Sequence, residues 1–99
     1  SDKVLHLGGL TGYLSTLISL LCKELLVVEE NNELFNLLKQ NIDKSNTSNI
    51  NVFKENLLEG LPSKSPFDLI IIDGPIYKIN ENIKKQLHTV YLMKILKVD

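Results

Sequence analysis

The 99-residue sequence contains no arginine, no alanine and no tryptophan, and a single cysteine. Without arginine it lacks the planar, bidentate reader of phosphate and carboxylate; all eleven basic residues are lysines, which act as point charges. A net charge of −1 gives no broad basic surface for a nucleic-acid backbone. Cys22 stands alone, which excludes an internal disulfide and a multi-cysteine zinc site. With Leu20, Leu21 and Leu25 around it, Cys22 is expected to be a small buried thiol. The longest greasy stretch, 14–28, is broken by Ser15, Thr16, Ser19, Lys23 and Glu24, so it is no membrane span. No basic region with a cleavage site precedes it, and a cytoplasmic location is expected. What is present is 43% apolar residues in 11.2 kDa, enough for one thin-cored domain over 1–99.

Periodicity then divides the chain. Lys3 to Leu7 is a short apolar run that stops at Gly8-Gly9, as a buried strand does before a sharp turn. From Thr11 the period becomes helical: Tyr13, Leu14, Leu17, Ile18, Leu20, Leu21 and Leu25 recur at threes and fours and predict the inward stripe of a helix. Leu25 to Val28 predicts a second buried strand, closed by Glu29-Glu30. Asn31 or Asn32 is placed to cap the next helix, which should turn Leu34, Phe35, Leu37, Leu38 and Ile42 inward. Ile50 to Phe53 reads as a third strand, and Phe67 to Ile72, bounded by Pro66 and Gly74, as a fourth covered on both faces. Asn80 to Leu87 should begin a helix; the last dozen residues fit a continued helix or a final strand equally well. Strands alternating with helices predict an α/β fold, a Rossmann-like parallel sheet with flanking helices.

In such a sheet ligands bind beyond the carboxyl ends of the strands. Three loops should meet there: 8–12, 29–32 and 73–77. Gly8 and Gly12 let the backbone bend and a ligand approach it. Glu29 stands at the end of the next strand, where a carboxylate can accept both hydroxyl hydrogens of an adenosine ribose. His6 is expected to be a hydrogen-bonded structural residue, no group of metal ligands is evident, and the lysines 84, 85, 94 and 97 read as a wet helix face.

The segments VLHLGGLTGY, LLVVEENNEL and NVFKENLLEGLPSKSPFDLIIIDG resemble the protein-L-isoaspartate O-methyltransferase family of S-adenosylmethionine-dependent enzymes. The likeness runs from about Lys3 to Leu87. It implies a partial methyltransferase core whose cofactor is S-adenosylmethionine and whose substrates are isoaspartyl carboxylates of damaged proteins or peptides. By this resemblance Gly8, Gly9 and Gly12 line the methionine part of the cofactor, Glu29 holds the ribose, Asn56 meets the adenine amino group and Leu57 packs near its ring. Asp73 would either serve the positive groups of the cofactor or cap the turn before Gly74-Pro75; no catalytic residue is assigned. The family pattern has an acid in place of His6, a glycine in place of Leu10 and a threonine in place of Asp73, and it carries flanking segments on both sides. The chain is therefore expected to be the cofactor-binding core of a truncated or divergent member, with little activity alone. Neither a nucleic acid nor a membrane is an expected partner, whereas a homodimer is a candidate assembly. Alternatives are a non-catalytic remnant acting by self-association, an N-methyltransferase-like domain suggested by Asp73-Gly74-Pro75-Ile76-Tyr77, and an NAD-binding fold, for which the glycine spacing is wrong.

Overall fold

Every strand in the sheet runs parallel to its neighbours, which requires each connection to cross over a face. The computed structural model describes residues 3–8, 12–73, 81–86 and 93–96. Its strands are β1 (Lys3–Leu7), β2 (Glu24–Val28), β3 (Ile50–Phe53), β4 (Leu69–Asp73) and β5 (Met93–Leu96), in the order β3-β2-β1-β4-β5. The helices are α1 (Tyr13–Ser19), α2 (Asn32–Ser45) and α3 (Glu81–Lys84), with a short 3₁₀ turn at Pro62–Lys64. This is the α/β parallel sheet expected from the alternation of periods. The pairing of Met93–Leu96 with β4 resolves the ambiguous C-terminal stretch in favour of a strand. Expectations for 9–11, 74–80, 87–92 and 97–99 fall outside the described residues.

Strand residues alternate between two apolar layers, as the pleat demands. Val4, Leu25, Val27, Ile50 and Ile71 point toward α1 and α2, where they meet Ile18, Leu38 and Ile42. Leu5, Leu7, Leu26, Val28, Ile70 and Ile72 point the other way and meet Leu61, Phe67 and Ile83, so the β3–β4 connection and α3 close the second face. A strand covered twice has no polar positions to offer, which explains the unbroken apolar runs of β2 and β4.

Three expectations need correction. The fourth strand begins at Leu69, not at Phe67. The Phe67 amide donates to the Gln86 carbonyl at 2.7 Å, and Asp68 exchanges bonds with Lys3 through its own N–H (2.8 Å) and its Oδ2 (2.9 Å). In α2, Leu38 and Ile42 are buried as expected, but Leu37 is exposed. In α1 the expected stripe is largely reversed: the helix buries Ser15, Ile18 and Ser19, while Tyr13, Leu17, Leu20 and Leu21 are 75%, 45%, 77% and 80% exposed. The apolar residues share one broad arc opposite Ser15, Thr16 and Ser19, yet the helix turns the serines inward, so period alone does not choose its inward face. Two polar links choose it instead: Ser15 bonds to His6, and Asn49 Nδ2 donates to the carbonyls of Ser19 (2.8 Å) and Cys22 (3.1 Å). Cys22 is accordingly only half-buried, with its Sγ 3.6 Å from the Ile18 carbonyl, and partial burial raises its thiol pKa.

Phe67 is fully enclosed in the second layer. Phe67→Ala should cost about 3–5 kcal/mol, read as a lowered urea midpoint with an unchanged far-UV spectrum before the transition.

Candidate functional site

The carboxyl ends of β1, β2 and β3 finish in register, with Leu7 beside Val28 and Val28 beside Phe53. The ladder continues one residue beyond each strand: Gly8 N–H donates to the Val28 carbonyl at 2.8 Å, and Glu29 N–H to the Phe53 carbonyl at 3.0 Å. Gly8, Glu29 and Lys54 therefore occupy adjacent steps along one edge, about 5 Å apart. Gly8 adopts φ 88°, a left-handed conformation that a side chain disfavours. Gly12 has φ 93° at the start of α1, where an added Cβ would meet Leu38 Cδ1 at 3.0 Å and Ile42 Cδ1 at 3.3 Å. The glycines at both ends of this loop are thus fixed by conformation, and the second also by packing; Gly9 and Leu10 lie outside the described residues.

Glu29 is buried, and its Oε2 accepts from the Asn31 N–H at 3.1 Å. Asn31 caps α2, its Oδ1 accepting from Leu34 N–H at 2.9 Å. One turn thus orients the carboxylate and starts the helix. Beside it, Glu30, Lys54, Glu55 and Asn56 line an open cleft of about 320 Å³. Glu29 is not part of that lining. Asn56 sits at the cleft with its Oδ1 accepting from Leu58 N–H at 2.8 Å, and Leu57 packs partly against the second apolar layer. Gly8, Gly12, Glu29, Asn56 and Leu57 are placed along the carboxyl edge or on the loops leaving it. Asp73 ends β4 opposite Leu96, and the expectation for its side chain lies outside what is described.

Two contacts were not anticipated from sequence. Lys54 Nζ, one residue past β3, donates at 2.9 Å to Oδ1 of Asn32, the first residue of α2, a pairing that sequence spacing does not reveal. His6 Nδ1 lies 2.8 Å from Ser15 Oγ, a link between β1 and α1 that no local spacing announces. Burial lowers the His6 pKa from 6.5 to about 4, so the imidazole is neutral near pH 7. Among the described residues no group of three His, Cys, Asp or Glu side chains is placed to hold a metal ion.

A wholly parallel sheet in the order β3-β2-β1-β4-β5, with helices between its strands, defines a Rossmann-like α/β fold. Similarity to known proteins narrows the class. The profile described as "Protein-L-isoaspartate(D-aspartate) O-methyltransferase (PCMT)" matches residues 1–91, and the chain belongs to that family. It is 33% identical over 76 residues to a protein-L-isoaspartate O-methyltransferase of Koribacter versatilis, covering 77% of this chain and 34% of that protein. The Pyrococcus abyssi protein of the same name is 31% identical over 86 residues, covering 86% of this chain and 40% of that one. A solved protein-L-isoaspartate O-methyltransferase superposes with a TM-score of 0.80 at 26% identity, over 88% of this chain and 29% of its own. The chain thus spans between 30% and 40% of the length of the curated relatives it matches.

Neutral His6 makes stability pH-dependent. The unfolded imidazole binds a proton below 6.5 and the folded one only below about 4, so unfolding takes up a proton between those values. Stability should be highest above pH 6.5, fall by up to about 3 kcal/mol as pH drops to 4, and lose no more from this group below that. Urea midpoints at pH 7, 5.5 and 4 for wild type and His6→Asn check this: the variant should lack that share of the acid loss.

Proposed function

We propose that this chain binds S-adenosylmethionine along the carboxyl edge of β1, β2 and β3 and forms the cofactor half of a protein-L-isoaspartate O-methyltransferase. The observation that carries the reading is the hydrogen bond from Gly8 to Val28, which puts the bend at Gly8 directly beside Glu29. Family membership supports the same assignment. The residues present fit such a ligand. Two positive-φ glycines frame the loop after β1, and an oriented carboxylate follows β2. A cleft of about 320 Å³ opens at Glu30, Lys54, Glu55 and Asn56, on the loops that follow β2 and β3.

In this reading Gly8 and Gly12 keep Cβ atoms away from the methionine portion, and Glu29 accepts from the ribose hydroxyls. Asn56 turns its amide toward the adenine amino group; the carbonyl already serving Leu58 has a second lone pair for that bond. Leu57 supplies apolar surface near the ring. When bound, the cofactor supplies an electrophilic methyl on a sulfonium. An isoaspartyl carboxylate is ionised at neutral pH, so the protein's task is alignment and exclusion of water rather than proton transfer. Asp73, at the end of β4, is assigned to the positive groups of the cofactor, where an anion needs no change of protonation. The implied setting is repair of damaged proteins in the cytoplasm; among the described residues no helix is long and apolar enough to cross a membrane. Because the matched relatives are two to three times longer, the 99-residue chain alone should bind cofactor and turn over isoaspartyl peptides slowly or not at all.

Isothermal titration with S-adenosylmethionine, S-adenosylhomocysteine and NAD tests the proposal. Binding of the first two and not the third is expected, and no binding of either thioether or sulfonium would end it. Glu29→Ala should weaken binding by about 1–3 kcal/mol, and unchanged affinity would remove Glu29 from the site. A labelled-methyl assay with an isoaspartyl peptide should show no robust turnover by the isolated chain.

A further inference from the structure

Strand β1 passes to helix α1 through the loop 8–12, and one buried hydrogen bond spans that loop. His6 Nδ1 and Ser15 Oγ meet at 2.8 Å, and both residues are fully enclosed. His6 belongs to the central strand, paired with Val27 on one side and Ile71 on the other, so the sheet holds it in place. Ser15 lies in the first turn of α1, on the side turned to the sheet. Gly8 stands two residues after His6, and Gly12 three before Ser15. At strand and helix rises those steps are about 7 Å and about 4.5 Å, so the bond sets the gap between the loop's two ends from close by.

The layer around His6 is apolar, formed by Val4, Ile18, Val27, Leu38 and Ile71. An apolar pair of the same shape would avoid taking an imidazole and a hydroxyl out of water. What the polar pair adds is direction. A hydrogen bond demands both a distance and an angle, so α1 cannot rotate or slide against β1 without breaking it. The helix needs such a tether, because it has seven residues and starts at Gly12 with no side-chain cap.

We propose that His6 and Ser15 are positioning residues for the cofactor: their bond fixes the opening of the loop 8–12 that receives the methionine portion of S-adenosylmethionine. The inference rests on the cofactor reading given above. Neither side chain touches the ligand; both act through Gly8 and Gly12. A loop whose ends are set before the ligand arrives spares the cost of ordering them on binding. Burial also keeps the imidazole neutral near pH 7, so the tether puts no positive charge beneath a sulfonium ligand.

Isothermal titration of S-adenosylhomocysteine into four forms of the 99-residue chain tests this, each form first shown to be folded by its urea transition. Ser15→Ala should bind roughly three- to tenfold more weakly than wild type, and Ser15→Thr, which restores the hydroxyl, should recover most of the loss. Ser19→Ala is the control. Ser19 is buried on the same side of α1, but its hydroxyl bonds back to the Thr16 carbonyl at 2.7 Å and reaches no strand. Its loss should lower stability and leave affinity unchanged. If the extra methyl of Ser15→Thr prevents folding, His6→Asn and His6→Leu make the same comparison. The amide can still bond to Ser15 and should bind ligand better than the isobutyl variant. Wild type that binds while Ser15→Ala binds equally well overturns the positioning role and leaves the cofactor reading standing. Equal weakening by Ser19→Ala, or no recovery in either polar variant, also overturns it. Wild type that binds no ligand at all overturns the cofactor reading, and this inference with it.

Discussion

The hydrogen-bond ladder that runs one residue past β1 and β2 is the constraint on which the rest depends. It fixes the heights at which the strands end, and so decides which side chains become neighbours at the carboxyl edge. A shift of one residue in β2 would turn its inward faces over and carry Glu29 away from Gly8. The apolar layers on both sides oppose such a shift, because every β2 residue from Leu25 to Val28 is enclosed by one layer or the other. Core packing and the candidate site are thus two results of a single register.

The polar contacts that matter here bind elements together more than they decorate a surface. His6 and Ser15 tie β1 to α1, Asn49 ties the end of α1 to the start of β3, and Lys54 ties the turn after β3 to the first residue of α2. Each joins residues from different elements at points where the apolar layers leave orientation open. The first two also explain why α1 lies with its serines inward: small residues let the helix approach the sheet closely, the Ser15 hydroxyl meets His6, and the Ser19 hydroxyl bonds back to the Thr16 carbonyl. The apolar side chains left outside are a consequence of that choice.

Much of the fold was legible from periodicity. The strand segments at Lys3 and Ile50, the cap at Asn31 and the doubly covered fourth strand all follow from patterns that a parallel sheet imposes locally. What could not be read was any choice made at a distance. The face of α1 depends on Asn49, some thirty residues away, and on a histidine across a turn. The start of β4 depends on Gln86, which draws the Phe67 amide out of the ladder. Gly8 and Glu29 were legible as partners because a strand end is a local signal and consecutive strands of a crossover unit lie side by side. The burial of Glu29 and its separation from the cleft beside it had no local signal at all.

Gln86 reaches further than the strand boundary. Its Oε1 accepts from the Leu61 N–H at 2.8 Å, and its Nε2 donates to the carbonyls of Glu59 (2.6 Å) and Asn82 (2.9 Å). Gly60 lies beneath this amide, where an added Cβ would come within 2.6 Å of Oε1. Positions 60 and 86 therefore form a locked pair. A bulkier residue at 60 displaces the glutamine side chain, and a shorter one at 86 strips a partner from three peptide groups. A substitution at one position therefore changes either the space or the hydrogen bonds left to the other.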